Sequence, residues 1–315
     1  MIYHFILNPK SGRSIQQKKM EQEIVDACLK RQLSYHIYYT TARKNSITYI
    51  RSMVNEYPDE RQRFICVGGD GTINEIANSV PGNPNAEFGV IPSGSGNDFV
   101  RNFTKRKLFS NIDAQIDGEV HTVDLIKCND DYCVNMLNIG FDCSVVIEAD
   151  KFRKVKFISP SLSYIMGVVV GFFFKKFGTK MKITFDNGEV IDDILTLTAI
   201  GNGKFCGGGF KSAPLADFND GLMDICVINK VSRLSFIQLV GCYKDGTYLE
   251  NKKAQKIIKY TQQKHLKMEF EQPQPICIDG EITNAKTIDL TVVPNAFNFV
   301  LPKGSTLKFP KENKE

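Results

Sequence analysis

Phe64-Ile65-Cys66-Val67-Gly68-Gly69-Asp70-Gly71-Thr72-Ile73-Asn74-Glu75 decides the reading of this chain. Phe64 to Val67 is a short apolar run of the kind that forms a buried strand. Ile73, Ile76, Ala77 and Val80 recur at helical spacing, so the segment Ile73 to Val80 reads as a helix. Between them lie three glycines within four residues, Gly68, Gly69 and Gly71, where backbone can approach a ligand with no side chain in the way. A strand, a glycine turn and a helix N-terminus make an anion site, because the first helical N–H groups are unpaired and the helix dipole favours phosphate. Thr72 could cap that helix or bond a phosphate oxygen, and Asp70 offers a carboxylate to Mg²⁺ or its water. An ordinary tight turn would account for the glycines but not for Asp70, Thr72, Asn74 and Glu75 in one run.

A second loop of the same kind lies downstream. Phe88-Gly89-Val90-Ile91-Pro92 reads as a buried strand and feeds Ser93-Gly94-Ser95-Gly96-Asn97-Asp98-Phe99, with Arg101 in the helix that follows. Two glycine- and hydroxyl-rich loops after neighbouring strands imply a nucleotide cleft more strongly than either alone. Upstream, Tyr3 to Asn8 is a strand ended by Pro9, and Asn8-Pro9-Lys10-Ser11-Gly12 is either a plain turn or a third phosphate turn with Lys10 as its cation. The spacing then gives a helix from about Ser14 to Gln32, a strand from Tyr35 to Thr40 and a helix from about Asn45 to Tyr57. Alternating strands and helices imply a doubly wound, Rossmann-like parallel sheet that binds ligands at the carboxyl ends of its strands. Thr40 and Thr41 close the second strand there, and one of them is a candidate nucleotide contact.

The remainder of the chain bounds the alternatives. At 315 residues two domains are expected, and 42% apolar residues indicate a folded globular protein. A net charge of +5 suits an anionic surface or a phosphorylated ligand and does not mark a nucleic-acid partner. Nine scattered cysteines with no CxxC pair indicate neither a disulfide framework nor a zinc site, which suits a cytoplasmic setting. Met1 to Leu7 has no basic leader and reads as a strand and not as a signal peptide.

Past Tyr132 strands dominate: Cys133 to Ile139, Met181 to Phe185, Ile194 to Gly201, Leu222 to Ile228, Leu266 to Phe270 and Ile288 to Val293. Asp186-Asn187-Gly188 between two of them is a hairpin signal. This half reads as an antiparallel β-sandwich or open barrel. The domains expected are therefore residues 1–127, with a C-terminal tail from about 303 to 315, and residues 128–302. Tyr164 to Phe174 is eleven uncharged residues flanked by Lys151, Arg153, Lys154, Lys156, Lys175, Lys176 and Lys180. It is shorter than the roughly 20 residues of a bilayer span, so it is a buried helix, or one that lines a lipid pocket or rests on an anionic membrane.

The two glycine loops together resemble the diacylglycerol kinase catalytic domain family, which includes bacterial lipid kinases, sphingosine kinases and ceramide kinases. The Gly68 to Thr72 run alone is shared with NAD kinases and 6-phosphofructokinases. Pro92 to Arg101 separates them, because it is similar to the family's P-x-G-T-x-N-D-F-x-R with Ser95 in place of threonine. The resemblance implies an ATP- and Mg²⁺-dependent lipid kinase acting on diacylglycerol or a related lipid alcohol. It carries nucleotide contacts to Asn8, Pro9, Lys10, Ser11, Gly12, Thr40, Gly68, Gly69, Asp70, Gly71, Thr72, Asn74, Glu75 and Ser95.

Asp70 and Asp98 would organise Mg²⁺ and water. Asp124, which on its own reads as a solvent-facing strand residue, would join that network. Pro214 to Asp224 is a turn before a strand and is similar to the family's P-x-A-x-x-D-D-G-L-x-D. The resemblance implies a second Mg²⁺ on the Asp220 carboxylate and the carbonyls of Asp217 and Leu222, with Asn219 in place of a common aspartate. Cys277-Ile278-Asp279-Gly280-Glu281 is a hairpin turn whose Glu281 the resemblance makes the base for the lipid hydroxyl, with Asp279 next in line. The short apolar run and its basic flanks predict peripheral contact with an anionic membrane from the cytoplasm, and a homodimer stays open. The competing readings are a soluble-substrate kinase such as an NAD kinase, and a non-catalytic nucleotide- or lipid-binding regulator.

Overall fold

The computed structural model of the protein describes residues 1–8, 14–153, 166–167, 170–174 and 177–307. The chain forms two compact units: Met1–Leu125 together with Pro294–Phe309, and a second built on Ile126–Val293.

The first unit is built on parallel strands β1 (Ile2–Leu7), β2 (Ser34–Tyr39), β3 (Gln62–Gly68) and β4 (Ala86–Pro92). Side by side they run β4, β3, β1, β2, and the end of β13 (Glu281–Leu301) pairs with β4 at Phe299↔Phe88. Alternate residues of each strand face opposite sides, so each side needs its own cover. Phe5, Leu7, Ile65, Val67 and Ile91 pack with Ile24, Ala27 and Cys28 of helix α1 (Ser14–Arg31) and with Ile112 and Ile116 of α4 (Ile112–Ile116). His4 stacks on Phe64 and its Nδ1 meets Tyr49 Oη at 2.9 Å, bringing α2 (Asn45–Glu56) onto the other side. The sheet is therefore doubly wound. Its register aligns the carboxyl ends, Leu7↔Tyr39, Leu7↔Val67 and Val67↔Ile91, so that Asn8, Thr40, Gly68 and Pro92 leave the sheet along one edge. Chain order reverses direction between β1 and β3, the place where open α/β sheets bind ligands.

The second unit is antiparallel. Its strands include the end of β5 (Glu119–Cys128), β6 (Asp131–Cys133), β7 (Met136–Gly140), β8 (Thr179–Phe185), β9 (Val190–Gly201), β10 (Met223–Asn229), β11 (Ile258–Gln263), β12 (His265–Ile278) and the first part of β13. β7 and β8 each pair with both β9 and β12, which closes the strands around a core of Leu137, Ile139, Met181, Ile183, Leu195, Ile200, Leu266 and Ile276. The Asp186-Asn187-Gly188 turn does join β8 to β9, with Gly188 N–H donating to the Phe185 carbonyl at 3.0 Å.

Two helices stand at places where the sequence indicated none: α5 (Phe141–Arg153) and α6 (Arg233–Asp245). Both cover one outer side of the sheet, where Phe141, Val145 and Tyr243 meet Leu197, Ala199, Cys226 and Ile228. α6 carries its own punctuation, a Ser232 side-chain cap on Ser235 N–H and a C-terminal Gly246 at φ 74°. The strands of Leu266 to Phe270 and Ile288 to Val293 are pieces of the longer β12 and β13, and β11 was missed. Residues 164–165, 168–169 and 175–176 of the apolar run and its flank lie outside the described residues, as do Lys154 and Lys156.

Candidate functional site

The helix after β3 begins earlier than its apolar spacing indicates. α3 spans Asp70–Ala77 with Gly69 as its N-terminal cap, and no side chain caps it. Thr72 is consequently inside the first turn and not at the cap, and Asp70 occupies the first helical position, where the dipole favours its negative charge.

The two glycine loops touch backbone to backbone. Ser93 N–H donates to the Gly68 carbonyl at 2.9 Å. A Cβ on Gly94 would stand 2.7 Å from Gly69 Cα, and one on Gly68 would stand 2.0 Å from Thr72 Oγ1. Asn97, held at φ 49°, folds its side chain back, accepting from Gly94 N–H at 3.1 Å and donating to the Gly94 carbonyl at 2.8 Å. This crowding brings two carboxylates to one point. A Cβ on Gly96 would meet Asp70 Oδ2 at 2.9 Å and Asp98 Oδ2 at 3.4 Å. Asp70 Oδ1 accepts from Phe99 N–H at 3.3 Å, and Arg101 pairs with Asp98 Oδ1 at 3.0 Å while donating to the Gly96 carbonyl at 3.1 Å. Two oxygen-only groups around a glycine, steadied by one guanidinium, suit a hard cation such as Mg²⁺.

Around this centre, Thr40 donates its N–H to the Leu7 carbonyl at 2.9 Å, fixing the end of β2 beside Asn8. Ser95 is exposed at the tip of the second loop, and Asn74 lies half-buried on α3. Pro9, Lys10, Ser11 and Gly12 lie outside the described residues. Glu75 has a role that the sequence did not signal. Its Oε1 accepts from Lys44 N–H at 2.8 Å and its Oε2 accepts from Ser46 Oγ, so it clasps the loop between β2 and α2.

Asp124 corrects a reading. It is buried, not solvent-facing, and its Oδ1 accepts from Asn295 N–H at 2.8 Å, so the carboxylate anchors the returning C-terminal segment. The periodicity of its strand could not report this, since the donor lies far along the chain.

The second unit holds the remaining candidates. Asp279, at φ 49° in the turn before Glu281, is buried, and its carboxylate accepts from Val134, Asn135 and Met136 N–H at 2.8, 2.9 and 2.9 Å and from Cys133 Sγ at 3.3 Å. Four donors on one carboxylate make it a structural clasp and unsuit it as a reserve base. Glu281 follows as the first residue of β13, paired with Ile278, and is half-buried. Asn202 and Gly203 N–H both donate to the Asn135 carbonyl at 2.9 Å, tying the Gly201 to Phe205 loop to the same segment.

Asp220 Oδ1 accepts from Leu222 N–H at 2.9 Å across Gly221 at φ 73°, and Asp217 Oδ1 accepts from Asn219 N–H at 3.4 Å. Behind this turn lies Asp224, fully buried, bonded by Tyr260 Oη at 2.5 Å and by Gln262 Nε2 at 3.2 Å. Burial raises its pKa to about 6, against those hydrogen bonds, and the Asp220 charge adds to the rise. A carboxylate and peptide carbonyls on a turn, with a second carboxyl behind, form an oxygen-only set compatible with Mg²⁺. Among the described residues no group of three His, Cys, Asp or Glu side chains could hold a metal by side chains alone. The cysteines are packing residues: burial pushes Cys277 up to about 12 and Cys28 to about 11.

Two glycine loops meeting along the carboxyl edge of a doubly wound parallel sheet, on a chain that continues into an antiparallel β unit, are the features to set beside known proteins. Residues 3–128 match the family model described as diacylglycerol kinase catalytic domain, and residues 135–301 match the YegS C-terminal NAD kinase beta sandwich-like domain. The chain belongs to this lipid kinase family. It is 29% identical over 262 residues to a probable lipid kinase YegS-like of Shewanella frigidimarina, covering 82% of each chain. It is 26% identical to a diacylglycerol kinase of Bacillus subtilis, covering 95% of each. In fold it matches the crystal structure of a putative diacylglycerol kinase from Bacillus anthracis with a TM-score of 0.74 at 22% identity, covering 96% of each chain.

Proposed function

We propose that the protein transfers the γ-phosphate of ATP, with Mg²⁺, to a hydroxyl of a membrane lipid, diacylglycerol or a related lipid alcohol, giving a phosphatidic-acid-type product. The observation that carries this reading is the meeting of Asp70 and Asp98 around Gly96, beside backbone that only glycine fits. Phosphoryl transfer asks mainly for positioning and charge neutralisation. Gly68 to Thr72 cradle phosphate oxygens, with Asn8, Thr40, Asn74 and Ser95 along the same edge. Asp70 and Asp98 hold the cation, which when bound neutralises the transferring phosphates. Arg101 keeps Asp98 in place, and Glu75 shapes the loop beside the nucleotide through Lys44 and Ser46.

Glu281 takes the proton of the lipid hydroxyl. Its neighbour Asp279 already accepts from three backbone N–H groups and the Cys133 thiol, which favours Glu281 over Asp279 for the task. The Asp217, Asp220 and Leu222 turn holds a second, structural Mg²⁺. Among the described residues no helix is long and apolar enough to cross a membrane, and the protein reaches its acceptor by peripheral contact with an anionic membrane from the cytoplasm. The test is incubation with γ-labelled ATP, Mg²⁺ and a total lipid extract, followed by identification of the labelled product. Label in a lipid supports the reading, and label only in a soluble acceptor such as NAD overturns it.

A further inference from the structure

We infer that the lipid-facing surface of the second unit is the exposed side of α6 together with the Phe173–Phe174 pair, and that it seats on an anionic lipid surface. The inference rests on the lipid kinase reading above, and it names the surface that brings such an enzyme to its acceptor.

Four large apolar side chains stand out of the surface in one neighbourhood. Leu234 is 68% exposed, Ile237 55%, Phe173 62% and Phe174 79%. Leu234 and Ile237 are three residues apart on α6 and therefore share a side of it, with Gln238 and Gly241. The two phenylalanines belong to the neighbouring segment, which is fastened to α6: Arg233 Nε donates to the Phe172 carbonyl at 2.5 Å, and the Phe172 ring lies 6.3 Å from that of Phe236. Beneath, Phe236 packs at 5.2 Å against both Phe141 and Phe177, so the inner side of α6 is anchored to the core while the outer side has no cover.

The side chains next to the patch are basic. Arg233 immediately precedes Leu234 and Lys230 lies four residues before it, both exposed, and no Asp or Glu occurs in residues 230–243. Apolar tips flanked by cations match the two attractions an anionic bilayer offers, insertion into the acyl boundary and contact with headgroups. A second copy of this chain fits less well. Four side chains offer on the order of a few hundred Å² of apolar area, short of the roughly 800 Å² per partner that a stable interface buries. Protruding side chains also insert into a fluid lipid surface more readily than they match a rigid one.

The experiment compares the full chain with Leu234→Ser/Ile237→Ser, with Phe173→Ser/Phe174→Ser, and with Leu29→Ser, a control at a 64%-exposed leucine of the first unit. Each is sedimented with phosphatidylcholine vesicles with and without phosphatidylglycerol. Phosphorylation of a short-chain diacylglycerol dissolved as monomers is measured in parallel. We expect the unaltered protein and the leucine control to bind only the anionic vesicles and each double variant to bind them on the order of tenfold more weakly, with thermal unfolding and turnover of the dissolved acceptor unchanged. Unchanged vesicle binding in both double variants overturns the assignment, as does failure of the unaltered protein to bind. A dimer of the unaltered protein that either double variant dissolves assigns the surface to a second copy and also overturns it. Failure of the lipid kinase reading would register separately, as absence of product from the dissolved acceptor.

Discussion

Glycine serves opposite ends in the two units. At Gly68, Gly69 and Gly94 the backbone is crowded, so that any Cβ would strike Thr72 or the facing loop at 3.0 Å or less. At Gly221 and Gly280 nothing stands within 4 Å of a Cβ, and only φ values of 73° and 91° call for glycine. The carboxylates differ in the opposite sense. Those of Asp70 and Asp98 converge around Gly96, whereas that of Asp279 is enclosed by four donors. Close packing of bare backbone is how the first unit brings its two carboxylates together. In the second, charge is used to hold backbone, as the Asp279 carboxylate does for the segment 133–136, and the proposed base Glu281 stands two residues on.

The strongest way to break this contrast is at Glu281. Glu281→Gln keeps the shape but cannot take a proton at neutral pH, and we expect lipid phosphorylation at saturating ATP to fall by a factor on the order of 10² to 10⁴ with ATP binding retained. Asp279→Ala should act on the fold, costing about 3 kcal/mol in urea unfolding because three buried N–H groups lose their acceptor. If Asp279→Ala unfolded normally and lost only activity, the division of labour between the two carboxylates would be wrong.

Gly94→Ala tests the crowding. Overpacking against Gly69 should cost about 2 kcal/mol and weaken ATP binding, read by calorimetry. Gly280→Ala meets open space and should cost only the left-handed backbone penalty, about 1 kcal/mol. The smallest effect is in pH. Burial raises Asp142, at the start of α5, and Asp224 each from an ordinary value near 3.8 to about 6. The folded state thus binds their protons more tightly than the unfolded chain. Their contribution is greatest below about 4 and declines as pH rises to about 6, levelling off above that. Asp224→Asn should flatten this decline in a urea-midpoint series relative to the unaltered protein.

The first unit was legible because its signals are local. Each strand is a short apolar run ended by glycine, proline or a polar turn, and the glycine loops lie where they act. The second unit was less so. α6 has Gly241 in its interior and apolar residues on both its buried and its exposed sides, which blurs helical spacing. β12 carries Pro273 and Pro275, and its register with β13 shifts between Glu269 and Gln274, so one strand reads as fragments. Asp124, Asp279 and Glu75 show the limit for single residues. Each has the expected chemistry, but its partner is set by folding: Asn295, the segment 133–136 and the loop at Lys44.

Strand β13 closes one unit with its first residues and completes the other with its last. The first unit is therefore discontinuous in sequence: Phe88 waits for Phe297 and Phe299, Gly82 N–H for the Ala296 carbonyl, and Asp124 for Asn295. During synthesis most of the first unit emerges before the second but cannot be finished until the segment from Pro294 has left the ribosome. Until then the outer edge of β4 is an unpaired strand, and a chain arrested before Pro294 would carry that edge exposed, a template for association with other chains.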